Sequence, residues 1–319
     1  MESFLDSNAS AGNKSRPGEN AEIVCYNMDS NYFATDGYLG WYIANCVFNI
    51  VLAMAATVEN LLILIAIWRT STLHTPSYVL LFCLVLSDLG VGLVAQPLVV
   101  IYSVAKIRGI ISMACGFGVA VALLGTYLCS VSLFSITAVS IDRYLALYLH
   151  LRYKQLVTNK RVITLLVCTW LVLALVIVTW LWYPSLSFII GVALGLCCIA
   201  ITTFCFCRVY IVLRHHHLQI RSQQPNSLKE ATNEEPLTSK KYRQSVMGMF
   251  MVYILLLLCY IPYLCISSVI LVQGTTTTNR LIFELLRTIL YANSALNPFI
   301  YCWRLRDIRA ALIQHLPCV

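Results

Sequence analysis

Seven apolar stretches, each long enough to cross a bilayer as a helix, constrain this chain more than any other feature. They cover residues 41–68, 76–103, 113–146, 161–183, 185–213, 243–272 and 280–303. A hydrocarbon core of about 30 Å takes roughly 20 apolar residues of helix. Several stretches exceed a straight crossing, which predicts tilt or protrusion beyond the lipid. Hydrophobic residues make up 59% of the chain and charged ones 11%, where a soluble surface needs roughly a quarter charged. The pattern predicts an all-α membrane protein. Residues 1–40 form an extracellular N-terminal tail, 41–303 one seven-transmembrane helix bundle, and 304–319 a cytoplasmic amphipathic helix and tail.

The net charge of +8 suggests nucleic acid only until its distribution is considered. Sixteen of the 22 Lys and Arg, from Arg69 and Arg143 through Lys240, Lys241 and Arg243 to Arg309, fall on one side if the N-terminus is outside. The excess of cations at inner loops is the usual topology signal, so the basic balance implies a cytosolic C-terminus and anionic lipid headgroups as neighbours. No nucleic-acid partner is expected. Residues 1–40 lack the charged-then-apolar pattern of a cleavable signal. That topology puts the sequons at Asn8 and Asn13 in the lumen as glycosylation sites. Of the 14 cysteines, most lie inside the apolar stretches, where Cys packs as a small hydrophobe, and Cys25 and Cys115 face an oxidising compartment.

Polar residues inside the stretches carry the chemistry, because charge at membrane depth is costly unless it works. Asp88 sits mid-helix and needs a proton, a partner or a cation; Asn60, Ser132, Asn293 and Asn297 are the candidate partners. Asn293, Asn297 and Tyr301 follow at four-residue steps and share a helix face. Two readings stand: a sodium ion held by Asp88, Ser132, Asn293 and Asn297, or a hydrogen-bonded network around a protonated Asp88. At the cytosolic boundary Asp142-Arg143-Tyr144 lets an arginine pair with its neighbour in one state and release in another. Pro262 and Pro298 each remove a backbone bond and supply a hinge. The polar segment 214–242 reads as a mobile loop whose His215, His216 and His217 form a solvated helix end. After Tyr301, Leu305, Ile308, Leu312 and Leu316 recur at helical spacing opposite arginines, an interfacial helix in contact with membrane lipids. Cys318 just beyond it is an S-acylation site.

In order along the chain, Glu59-Asn60-Leu61-Leu62, Leu73-His74-Thr75-Pro76, Leu86-Ser87-Asp88, Asp142-Arg143-Tyr144, Trp170, Pro262 and Asn297-Pro298-Phe299-Ile300-Tyr301 form a joint pattern. This pattern resembles the rhodopsin-like (class A) G-protein-coupled receptors, over about 41–316. The Glu-Asn pair, the Leu-His-Thr-Pro turn, the short link between the fourth and fifth stretches and the Tyr-Cys-Trp-Arg-Leu-Arg-Asp junction are similar to the melanocortin, cannabinoid, lysophospholipid and adenosine receptor cluster. The resemblance implies a plasma-membrane receptor that is not an enzyme, and that passes an extracellular signal to a heterotrimeric G protein by movement of helix six. Arrestin and a receptor kinase are further cytoplasmic partners. It makes Asp142, Arg143, Tyr144, Pro262, Asn297, Pro298 and Tyr301 the switch residues.

The chain departs from the family pattern at several places. No cysteine lies near Tyr183–Leu186 to make the family's usual disulfide between the second outer loop and helix three; a Cys25–Cys115 disulfide is a hypothesis for this chain alone, outside the family pattern. Phe206 stands where tyrosine is usual and Tyr260 where tryptophan is usual. Tyr242 and Arg243 replace an acidic residue, so Arg143 lacks a carboxylate across the helices and basal signalling is expected. The implied ligand pocket draws on Gln96, Thr126, Cys129, Tyr260, Tyr263, Phe283, Glu284, Arg287 and Tyr291. Gly125 occupies the level where amine receptors carry an aspartate, which disfavours a monoamine and leaves lipid, peptide or nucleoside-like ligands. Glu284 and Arg287 either pair with each other, at roughly 0.3–0.5 kcal/mol if solvated, or leave Arg287 to bind an anionic ligand head. A transporter is disfavoured because no internal repeat is present. An enzyme is disfavoured because no nucleophile–base pair or metal cluster lies at membrane depth. An uncoupled pseudo-receptor is the remaining alternative, and no cofactor beyond the sodium ion is expected.

Overall fold

In lipid every backbone amide must find its partner within its own segment or a closed barrel, and here the stretches do so as helices. The computed structural model describes Cys25 and residues 37–149, 152–223, 237–304 and 306–315, with backbone alone at 213, 216–223, 237–250, 303, 304, 306 and 315. The helices are α1 (Leu39–Arg69), α2 (Pro76–Ile107), α3 (Ile111–Leu149), α4 (Asn159–Val178), α5 (Pro184–Gln223), α6 (Leu237–Gln273), α7 (Thr277–Arg304) and α8 (Arg306–His315). Among the described residues, six helices are long and apolar enough to cross a membrane. The seventh, α7, is diluted by a buried polar face that includes Glu284, Thr288, Asn293, Ser294 and Asn297. It packs against α1 and α6 and closes the seven-helix bundle.

Two boundaries differ from expectation. Hydropathy ends the fifth stretch at 213 and begins the sixth at 243, but α5 continues to Gln223 and α6 starts at Leu237. Hydropathy marks where lipid ends; the helices run on because Arg, Lys, Gln and Leu are good helix formers in water. The expected loop 214–242 is therefore helical at both ends.

The bundle has an apolar core threaded by buried polar residues, and its outer surface is apolar as well. Asn49, Asn60, Asp88 and Gln96 are fully buried, whereas Phe48, Trp68, Leu175 and Trp182 lie exposed on the rim. Buried amides join helices: Asn49 Nδ2 donates to Thr288 Oγ1 at 3.0 Å and Thr288 Oγ1 to Asn45 Oδ1 at 2.8 Å, which fastens α1 to α7. α1 also meets α2 at Gly92, where a Cβ would stand 2.9 Å from the Thr57 amide nitrogen. Facing π turns interrupt α2 at Val91–Ala95 and α3 at Val121–Gly125. Such turns insert one residue and re-aim the rest of the helix. Ile308 and Ala311 of α8 are buried in the same core as α1 and α2.

Candidate functional site

A cavity of about 190 Å³ opens between α3, α4, α5, α6 and α7 at the end where α1 begins. Helical periodicity puts Glu284, Arg287 and Tyr291 on one face of α7, and all three line it, as does Phe283. Thr126 and Cys129 of α3 and Tyr260 and Tyr263 of α6 form the opposite wall. The Tyr260 hydroxyl donates to the Cys129 carbonyl at 3.1 Å, joining α6 to α3. Gln96 is the exception among the expected ligand residues: it is fully buried on α2, outside the cavity wall. Cys25 and Cys115 are joined by a disulfide at this end.

Of the two readings for Glu284 and Arg287, their pairing with each other does not form among the described residues. Lys106 of α2 takes the carboxylate instead, with Nζ 3.1 Å from Glu284 Oε1 and 2.9 Å from the Tyr42 hydroxyl. Arg280, one turn before Glu284, lies 3.6 Å from the same Oε1 and donates to Tyr42. The rings of Tyr42 and Tyr102 cover the Lys106 ammonium at 4.4 and 4.9 Å. This cluster binds α1, α2 and α7 together. Lys106 and Arg280 are among the six Lys and Arg left for the outer side by the charge distribution, which does not mark them as buried; their place at the ends of apolar stretches was the available signal. Arg287 keeps a cation–π contact with Phe283 at 5.9 Å, while its buried Nε and Nη2 find no hydrogen-bond partner among the described residues.

Gly125 completes this wall. A Cβ there would run into the Tyr291 hydroxyl, whose ring is buried. Gly125→Ala should therefore force Tyr291 from its slot at a cost of about 1–3 kcal/mol, typical of overpacking, with Tm of the purified protein as the readout.

Midway through the bundle Asp88 is fully enclosed. Its Oδ1 accepts from Ser132 Oγ at 2.9 Å and Ser294 Oγ at 2.8 Å, and its Oδ2 from Asn297 Nδ2 at 2.8 Å. Ser132 and Asn297 meet Asp88, but two other candidates do not. Asn60 donates to the Ser294 carbonyl at 3.0 Å, and Ser294 stands where Asn293 was expected. Each residue turns about 100° around a helix, so the side of α7 facing Asp88 passes between 294 and 297. The donors are oxygen-rich, and Asn297 Oδ1 is buried without a hydrogen-bond partner. That set suits a hard cation.

At the far end Asp142 is buried and held from outside its own helix. Ser77 Oγ of α2 donates to Oδ2 at 2.7 Å and the Tyr153 hydroxyl to Oδ1 at 2.6 Å. Burial, followed by the Asp142 bond, raises the Tyr153 phenol above its ordinary pKa of 10.0, so it stays a donor at neutral pH. Arg143 Nε lies 3.8 Å from Asp142 Oδ2 with its side chain 44% exposed. It borders a second cavity of about 80 Å³ with Tyr253 and Tyr301. Tyr144 turns away and stacks on Tyr148 at 5.9 Å. Pro262 and Pro298 sit within α6 and α7, which stay helical through them. Asn8, Asn13, Leu305, Leu316 and Cys318 lie outside the described residues, as do the side chains of Lys240, Lys241, Tyr242 and Arg243.

The model of the family "7 transmembrane receptor (rhodopsin family)" matches residues 59–301. The chain is similar to the 5-hydroxytryptamine receptor 6 of Mus musculus, 27% identical over 89% of this chain and 72% of the relative. It is also similar to the adenosine receptor A2b of Homo sapiens, 26% identical over 82% of this chain and 86% of the relative. The histamine H2 receptor of Cavia porcellus is 23% identical over 84% of this chain and 78% of its own length.

Proposed function

Because the chain belongs to the rhodopsin family of seven-transmembrane receptors, we propose that it couples an extracellular ligand, bound in the cavity between α3, α4, α5, α6 and α7, to a heterotrimeric G protein in the cytosol. In this reading it resides in the plasma membrane with the Cys25–Cys115 end outside. The distribution of Lys and Arg supports that orientation. The observation that carries the reading is Arg143: its carboxylate neighbour is held by Ser77 and Tyr153, while the guanidinium itself is only loosely paired and borders a cavity at the opposite end from the first. An inner half of α6 that swings about Pro262 would widen that cavity and let Arg143 meet the G protein. The Tyr260–Cys129 bond beside the ligand cavity is the contact a ligand would disturb to start the swing.

The relatives' names include receptors for 5-hydroxytryptamine and histamine, but a monoamine fits this cavity poorly. Glycine occupies position 125, and the Glu284 carboxylate is already engaged by Lys106 and Arg280. A sodium ion would be held by Asp88, Ser132, Ser294 and Asn297, and would supply a positive charge that fastens α2, α3 and α7.

Substituting Arg143 tests the coupling. In cells with matched surface expression, wild-type receptor should move basal cyclic nucleotide or inositol phosphate levels away from those of untransfected cells, and Arg143→Ala should return them. Equal levels for the two proteins would refute the reading.

A further inference from the structure

The ligand cavity holds an electrostatic imbalance that its own side chains leave unresolved. Among the described residues lining it, Glu284 is the acidic one, and its Oε1 is committed to Lys106 at 3.1 Å and Arg280 at 3.6 Å. Arg287, one turn along α7, has no ion pair among the described residues, and its Nε and Nη2 are buried without hydrogen bonds. One further turn along the same face, the Tyr291 hydroxyl is also buried without a partner, over Gly125. Both groups donate hydrogen bonds, and one is a permanent cation. Leaving such a guanidinium unpaired in a low-dielectric interior is costly, so an acceptor carrying negative charge would gain both Coulomb energy and donors. A cationic ligand would meet repulsion from the same group.

The rest of the wall sets the body of the ligand. Val121, Leu133, Phe134, Leu173, Ile177 and Leu264 give the cavity a predominantly apolar lining beyond the Arg287 and Tyr291 corner. Resting on the reading of this cavity as the ligand site, we infer that the receptor binds a monoanionic amphiphile, a carboxylate on an apolar body, with its head on Arg287 and the Tyr291 hydroxyl. One unpaired guanidinium balances one negative charge, and its planar fork matches the two oxygens of a carboxylate.

Full-length receptor in nanodiscs of neutral lipid tests this with radiolabelled dodecanoate, competed by dodecanol, dodecylamine, acetate and monododecyl phosphate. Dodecanoate should bind saturably. Dodecanol, dodecylamine and acetate should compete weakly, because each lacks either the charge or the apolar body, and the phosphate should compete less well than the acid. Arg287→Gln should weaken binding by about tenfold or more, the loss expected for a charge-assisted hydrogen bond. Arg287→Lys, which keeps the charge without the fork, should fall between. Ligand-free Arg287→Gln should melt no lower than wild type, since it removes an unpaired charge. The inference is overturned if dodecanol binds as well as the acid, if Arg287→Gln binds dodecanoate like wild type, if no saturable binding occurs, if the phosphate is preferred, or if the ligand-free variant melts lower. Binding is read without a G protein. A receptor that binds the acid yet never promotes nucleotide exchange refutes the coupling reading alone, and one that promotes exchange but ignores the acid refutes this inference alone.

Discussion

Glutamine in place of Glu284 should lower the melting temperature of the purified receptor by about 10 °C, the largest single effect expected in the outer half of the bundle. The carboxylate is 3% exposed, and it is shared by the Lys106 ammonium and the Arg280 guanidinium, which are 0% and 1% exposed. Removing its charge strands cations in a medium that solvates them poorly, at about 3–5 kcal/mol for a broken buried pair. At roughly 2–4 °C per kcal/mol for a chain of this size, that cost gives the stated shift. The double variant Lys106→Met with Glu284→Met should recover much of the loss, because it removes the stranded ammonium as well. Thermal unfolding followed by thiol accessibility measures both. A shift below about 2 °C for Glu284→Gln would mean that the cluster does not fasten α1 and α2 to α7.

Alanine at Asp88 should destabilise the middle of the bundle by about 3 kcal/mol. Three donors from α3 and α7 end on this carboxylate, and each buried donor left unsatisfied costs about 1–3 kcal/mol. The Ser132 and Ser294 hydroxyls can turn back to carbonyls of their own helices, so the Asn297 amide carries most of the loss. Asp88→Asn keeps an acceptor oxygen and should fall between wild type and alanine. If a sodium ion occupies this cage, replacing sodium chloride by choline chloride should lower the Tm of wild type and leave Asp88→Asn unchanged. Equal salt responses would remove the ion from the account.

Much of this architecture is written locally in the chain. Predominantly apolar stretches of about twenty residues or more specify crossing helices, and Asp88 announces itself because a carboxylate cannot sit at that depth without company. The bonds that choose its company are not local. Lys106 and Glu284 are 178 positions apart and Tyr42 lies 64 before Lys106, so no window of sequence contains the cluster. Ser77 reaches Asp142 across 65 positions for the same reason, whereas Tyr153 lies 11 past Asp142 but carries no signal of its own, and only Asp142 stood out in the sequence. The π turns at Val91–Ala95 and Val121–Gly125 leave no mark, because one extra residue in a uniformly apolar run changes neither length nor composition visibly. The choice of Ser294 over Asn293 at Asp88 turns on the rotation of α7 by one residue, which tertiary packing sets.

The central claim is that this bundle transmits to the cytosol through Arg143. Purified wild-type and Arg143→Ala receptor, reconstituted in vesicles with heterotrimeric G proteins of each class, can be compared for the rate of guanine nucleotide exchange. The account predicts that wild type accelerates exchange on at least one class and that Arg143→Ala leaves the rate at that of empty vesicles. Exchange at the empty-vesicle rate for wild type on every class, with dodecanoate present or absent and under any other stimulus, would contradict it.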